Sequence, residues 1–332
     1  MSHPFSQYIK IIGKGQKGAR ALTREEALDS MHMLLSNQVT GDQRGAYLML
    51  LRTREETSEE VIGFLQACRS LLRPELAQLK ADLDVGCYAG KRRQLPWYLL
   101  AVAALAQSGH RVFLHGAHEP GSGRLYASHV LPALGLEPIG SVADSARQLD
   151  TYGASYLDLG VVLPELDTLI KLREVFGLRS CANTLARLLN PSAARFSVQG
   201  VYHMHLDEKH RFVNEAFADY DSLCFRGDGG DPEVNSERPT DLFITRGGET
   251  QKIVLPEFTG SWAVKDKALD VNDMLEVWQG KASNKYGDQA IAATLTSYLM
   301  LAENMPVEAA TKQAELVWQA RNQNSLPFSP LG

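Results

Sequence analysis

The chain has 332 residues, 44% of them hydrophobic and 22% charged, with a formal net charge of −5. That length suffices for two domains with sizeable cores, and the composition is that of a globular protein, which excludes a disordered or fibrous chain. No stretch approaches the ~20 apolar residues of a membrane-spanning helix, and residues 1–20 lack the apolar core of a signal peptide, so a cytoplasmic location is expected.

The first eighty residues read as helices. Thr23-Arg24-Glu25-Glu26 is a helix start in which Thr23 caps and Glu26 reaches back, and Ala27, Met31, Leu34 and Leu35 follow at helical spacing. Thr40-Gly41-Asp42 breaks the chain before an apolar helix carrying Ala46, Leu48, Leu50 and Leu51. Thr57-Ser58-Glu59-Glu60 starts another, with Val61, Phe64, Leu65 and Cys68 on its apolar side and Pro74 after its end. Leu83 to Gly86 then reads as a strand, Pro96 to Gln107 as a helix with proline in its first turn, and Val112 to Gly116 as a second strand. Strand, turn, helix and strand in that order form a parallel α/β unit. Further strands are expected at Leu157–Leu159, Arg195–Tyr202, Ser222–Arg226, Asp241–Thr245 and Lys252–Val254. Helices are expected at Leu163–Phe176, Thr184–Leu189, Asp288–Met300 and Val307–Gln319.

Charge is segregated along the chain. Residues 1–24 and 85–118 contain no acid, whereas Asp207, Glu208, Glu215, Asp219, Asp221, Asp228, Asp231, Glu233 and Glu237 cluster later. A mildly acidic protein can therefore carry a basic groove, because polyanion binding follows local potential. The cysteines Cys68, Cys87, Cys181 and Cys224 are widely spaced, which argues against a zinc site and a disulfide framework and fits a reducing compartment.

Three stretches carry a family resemblance. Leu22 to Ala27, Gly45 to Arg52 and Glu55 to Glu60 resemble the helical N-terminal domain of the anthranilate phosphoribosyltransferases and the related nucleoside phosphorylases. Lys171 to Ser180, with Asn183 and Leu188-Leu189-Asn190-Pro191, resembles the R-x-x-L-G-x-R-T, N and L-x-N-P signature of that family, and Gly200-Val201-Tyr202 resembles its G-V-Y strand. Within the family the chain is most similar to a YbiB-type branch whose members bind nucleic acid. The resemblance implies an α/β fold with a small helical domain, residues 1–80 plus a return segment about 180–193. The larger α/β domain, 81–179 and 194–332, would carry a central mainly parallel sheet. It also implies a homodimer formed through the helical domain.

The same alignment shows what has been rewritten. The family cradles a diphosphate in a loop of the form G-T-G-G-D followed by N-x-S-T, where glycines admit backbone N–H groups and hydroxyls add donors. Here residues 86–97 read Gly86-Cys87-Tyr88-Ala89-Gly90-Lys91-Arg92-Arg93-Gln94-Leu95-Pro96-Trp97, keeping Gly86 and Gly90 but replacing small polar groups by bulk. Side chains of that size are expected to narrow or fill the pocket. The family's K-H-G-N-R is Leu114-His115-Gly116-Ala117-His118, so His115 is either a site remnant or a side chain capping a strand end. Of the acidic pair that holds magnesium in the family, Asp231 aligns, Pro232 takes its partner's place and Glu233 comes one residue late. Arg173 matches an arginine that contacts the aromatic acid in the transferases, or closes a surface salt bridge. Gly86, Gly90, His115, Gly116, Arg173 and Asp231 are thus candidate remnants of a substrate cleft, with no catalytic residue, metal or cofactor assigned.

Three basic groups are candidate phosphate contacts: Lys10, Lys14, Lys17 and Arg20 among glycines; Lys91, Arg92 and Arg93 beside Tyr88 and Trp97; and Lys265, Lys267, Lys281 and Lys285 near Trp262, Trp278 and Tyr286. Lysine and arginine bind phosphate backbones and aromatic faces stack bases; the alternative for each group is a solvated surface, and for the tryptophans a place in the core. The expected function is sequence-tolerant DNA or RNA binding by a homodimer with degraded catalytic motifs. The alternatives are a phosphoribosyl or other glycosyl transferase with altered substrate, and a regulatory dimer sensing a metabolite in the old cleft.

Overall fold

The computed structural model describes residues 3–15, 17–119, 121–259 and 268–331. Seven strands form one sheet: β1 Leu83–Cys87, β2 Val112–Gly116, β3 Ala154–Asp158, β4 Phe196–Val201, β5 Asp221–Arg226, β6 Thr240–Arg246 and β7 Glu249–Leu255. Their spatial order is β3-β2-β1-β4-β5-β6-β7, with the first five parallel and the last two antiparallel. β1, β2 and β4 are buried along their whole length, as parallel strands covered on both faces must be. Gly247 and Gly248, with φ of 54° and 83°, make the two-residue turn joining β6 to β7, a conformation that L side chains resist. The expected α/β class with a mainly parallel sheet is borne out.

One face of the sheet packs on the helices Tyr98–Gln107 and Lys285–Ala302. The first of these, YLLAVAALAQ, is apolar all round because it is buried all round. The other face meets Val142–Tyr152 and Leu206–Glu215, whose Leu149 and Val213 join the apolar cluster of the helical layer.

That layer is built from Ser6–Gly13, Arg24–Leu35, Gly41–Arg54 and Ser58–Ser70. Thr23 with Glu26 and Thr57 with Glu60 form reciprocal capping boxes. Thr40, read from the sequence as part of a break, also starts a helix by the same device with Gln43. Arg24–Leu35 and Ser58–Ser70 cross in close contact at Gly63, where an added Cβ would lie 2.2 Å from the Arg24 carbonyl oxygen. Glu60 is fully buried beside this crossing and accepts from Leu22 N at 2.8 Å and from the Arg54 guanidinium at 2.6 Å. Residues 159–189 return to the layer, with Leu163, Leu166, Leu169, Ile170, Leu185 and Leu188 in its cluster.

Two local expectations change. The strand expected at Leu157–Leu159 ends at Asp158, because the Asp158 side chain accepts from Gly160 N and turns the chain into a helix. The helix expected from Pro96 begins at Tyr98, where the carboxylate of Glu233 receives the Tyr98 N–H. No described helix is long and apolar enough to cross a membrane.

Candidate functional site

The sheet order places a crevice at one point. β1 leads through a helix to β2 on one side and β4 through a helix to β5 on the other, so the chain leaves the two neighbouring strands in opposite directions. Ligands of open α/β sheets bind at such a switch point, outside the carboxyl ends of the strands. Residues 88–97 follow β1 there, Tyr202 follows β4, and the return helix Ala182–Leu188 runs beside them.

The loop after β1 is closed by its own side chains. The Tyr88 hydroxyl lies 2.6 Å from His115 Nδ1, His115 Nε2 lies 2.8 Å from Asp84 Oδ1, and Asp84 Oδ2 accepts from the Ser192 hydroxyl at 2.6 Å. All four of these side chains are buried. Asp231 Oδ1 accepts the backbone N–H groups of Ala89 and Gly90 at 3.0 and 3.2 Å. Lys91 Nζ sits 2.8 Å from Glu233 Oε1 and 2.9 Å from Asp228 Oδ2. The other Glu233 oxygen takes the Tyr98 N–H at 2.9 Å, and the Tyr286 hydroxyl donates to Oε1 at 3.2 Å. Leu95 and Trp97 complete the closure as core residues.

Electrostatics follow this packing. Burial opposes the charge on Lys91, yet Asp228, Glu233 and Asp231 together hold it well above the usual lysine range. Burial pushes Glu233 up to about 7 against the pull of Lys91. Burial also raises Asp231, while at half-buried Asp228 Lys91 outweighs the opposing effect of burial and holds the carboxyl below its usual range. A divalent ion needs several free oxygen ligands in close geometry. The three carboxylates here are already committed to an ammonium and to N–H donors, and no described group of His, Cys, Asp and Glu has the arrangement of a metal site. The residues present do not fit the magnesium and diphosphate that the resemblance implies.

In front of the closed loop the surface is cationic. Arg92, Arg93 and Arg124 line a cavity of about 350 Å³, together with the paired Lys91 and Asp228 and with Glu237 as its second acid. A second cavity, about 320 Å³, is lined by Arg52, Arg179, Asn183, Arg187 and Lys209, with Glu55 and Glu56 as its acids. Tyr202 lines both cavities and is 59% exposed. Arg92, Arg93, Arg124 and Arg187 have no carboxylate partner among the described residues; Arg124 instead donates to the carbonyls of Ala89 and Gly90, and Arg187 to that of Asn183. Arg173 and Arg179 share the single carboxylate of Glu119. Burial and then the neighbouring Arg179 lower Arg187 to about 10, and burial together with Arg179 and Arg92 lowers Arg124 and Arg173. Guanidiniums that repel one another in this way form a site prepared for an anion.

The residues singled out from sequence divide accordingly. Arg92 and Arg93 are exposed in the cleft, whereas Lys91, which borders the same cavity, is 1% exposed: three carboxylates from residues 228–233 draw its ammonium inward. Gly86, His115, Gly116 and Asp231 are buried, with Tyr88 bonded over His115, and of the glycines only Gly90 lines a cavity. Arg173 closes a salt bridge with Glu119. Lys10, Lys14 and Lys17 are exposed on and after the helix Ser6–Gly13, Arg20 is held by Glu26 at 2.6 Å, and none of them lines the cleft. Lys281 and Lys285 are exposed elsewhere, while Trp278 and Tyr286 are buried; Lys265, Lys267 and Trp262 lie outside the described residues. Sequence reasoning did not single out Arg52, Arg124, Arg187, Lys209 or Tyr202. Tyr202 was visible as the last residue of the G-V-Y strand, and the arginines carried no local signal.

Known proteins resemble this chain along most of its length. Residues 6–71 match the Glycosyl transferase family, helical bundle domain. The anthranilate phosphoribosyltransferase of Desulfitobacterium hafniense (strain Y51) is 30% identical over 267 residues, covering 78% of this chain and 76% of that protein. The uncharacterized protein YbiB of Escherichia coli (strain K12) is 27% identical over 192 residues, 57% of this chain and 59% of its own length. Among solved structures, the anthranilate phosphoribosyltransferase of Thermus thermophilus superposes with a TM-score of 0.76 at 20% identity, covering 96% of this chain and 94% of the other.

Proposed function

The chain belongs to the anthranilate phosphoribosyltransferase-like family, and from that premise we propose that it is a divergent member holding a nucleic-acid strand in its switch-point cleft. One observation carries the reading. The loop that the family uses for diphosphate is occupied internally by Lys91, Asp231 and Glu233, while Arg92, Arg93, Arg124 and Arg187 before it lack carboxylate partners among the described residues. Preorganised dipoles aimed at reacting charge are usually the largest catalytic contribution. Here the backbone N–H groups of Ala89 and Gly90 are spent on Asp231, so they are not aimed at a ligand. The guanidiniums suit phosphate oxygens and carry no base-reading geometry, which supports binding with little sequence preference. Pairing of two copies through the helical layer would join two such clefts and raise affinity by avidity; analytical ultracentrifugation reads that state.

The test is a fluorescence titration of a labelled single strand in rising salt. The logarithm of affinity should fall linearly with the logarithm of salt, and replacing Arg92, Arg93 and Arg124 by alanine together should flatten the slope by roughly 0.7 per lost phosphate contact. Absence of binding at low salt, or binding indifferent to salt, refutes the reading.

The relatives favour a second reading, transfer of a phosphoribosyl or other glycosyl group to an altered acceptor, since the D. hafniense protein is named for that activity. Calorimetry with phosphoribosyl diphosphate and magnesium separates the two. Tight, magnesium-dependent uptake supports the transferase and requires the Lys91 cluster to open.

A further inference from the structure

We propose that the cleft takes an unpaired nucleobase, stacked on Tyr202 with its edge toward Asn183 and Arg187, so that the protein selects single-stranded over duplex nucleic acid; this rests on the reading above. Tyr202 follows the last residue of β4, whose carbonyl receives Gly227 N at 3.0 Å, so the backbone that carries the ring is anchored in the sheet. The ring itself is largely exposed and has His203 edge-on at 5.2 Å as its aromatic neighbour. An aromatic face left open between two cationic cavities offers stacking in the middle and charge on both sides.

A second observation is independent of the ring. Asn183 and Arg187 are each 8% exposed and both line the cavity beside Tyr202. The Asn183 side-chain oxygen and the Arg187 Nε–H are buried without a hydrogen-bond partner. A buried donor or acceptor without a partner costs about 1–3 kcal/mol, so its retention points to a ligand that satisfies it. An acceptor and a donor one turn apart on the same helix suit the polar edge of a base, which presents both kinds of group when unpaired and hides them inside a duplex. The cavity, about 320 Å³, has the volume of a pocket for a small aromatic group and not of a groove for a double helix. The backbone of the strand would then pass over Arg92, Arg93 and Arg124 in the adjoining cavity.

The experiment compares three probes on the full chain: labelled oligothymidylate, an abasic strand of the same length, and a duplex of that length. Wild type should bind oligothymidylate about tenfold more tightly than the abasic strand, as expected for a stacked base, and more tightly than the duplex. Tyr202→Ala should remove that tenfold preference and leave abasic binding unchanged, while Tyr202→Phe should preserve it. Equal affinity for the three probes, or a Tyr202→Ala variant that keeps the preference, overturns the stacking proposal yet leaves salt-dependent polyanion binding standing. Failure of all probes to bind at low salt removes the functional reading itself and this inference with it.

Discussion

Replacing Lys91 by methionine tests the central structural feature. The change keeps a similar volume in a site that is 1% exposed but deletes the ammonium between Asp228 and Glu233. Removing one partner of a buried ion pair costs about 3–5 kcal/mol, since a charge is left without compensation. The loss depends on pH in a defined direction. Burial already raises Glu233 to about 7, and without Lys91 it rises further. A carboxyl whose folded value lies above its unfolded one stabilises the fold below the unfolded value, and the contribution is lost as pH climbs through the folded value. The variant should therefore be protected at pH 5, where Glu233 holds its proton, and lose most at pH 8, where it must ionise beside Asp228. Urea unfolding at both pH values, with unchanged m, reads the difference. Adding Glu233→Gln should restore part of the loss at pH 8. At pH 5 the folded Lys91→Met protein should also bind a single strand within about twofold of wild type, because Lys91 faces inward; a surface phosphate contact would instead flatten the salt slope. A loss below about 1 kcal/mol at pH 8, or an equal loss at both pH values, refutes the reasoning.

Three further outcomes follow from the geometry. Gly63→Ala should destabilise by about 1–3 kcal/mol in thermal or urea unfolding, because its Cβ has no room against the Arg24 carbonyl and the two crossing helices must part. Tyr88→Phe should cost about 1–3 kcal/mol by leaving buried His115 Nδ1 without its partner, with no effect on strand binding. Glu119→Gln should tighten single-strand binding at low salt, since the carboxylate shared by Arg173 and Arg179 is removed, and the gain should fade as salt screens the freed charge.

Much of the fold was legible because its signals are local. The Thr23 and Thr57 starts depend on groups three residues apart, and the burial of Tyr98–Gln107 follows from a run without charge. The bulk at Tyr88, Leu95 and Trp97 was legible as well, but where it goes was not: all three side chains turn into the core. The helices Val142–Tyr152, Leu206–Glu215 and Val271–Trp278 received no assignment; their charged or short sequences are held by tertiary packing more than by propensity.

Residue pattern alone thus determined the class of the fold and the helix starts at Thr23 and Thr57. Only the folded chain decided which cations are available. Lys91, Arg92 and Arg93 are indistinguishable as a basic run, yet Lys91 is buried against Glu233, 142 positions away, while Arg92 and Arg93 stay exposed. Lys91 can be buried because remote carboxylates receive its charge, and that pairing is a property of three-dimensional packing. The same holds for Tyr202, after β4, and for Asn183 and Arg187, on the helix Ala182–Leu188, which the fold brings to one cavity.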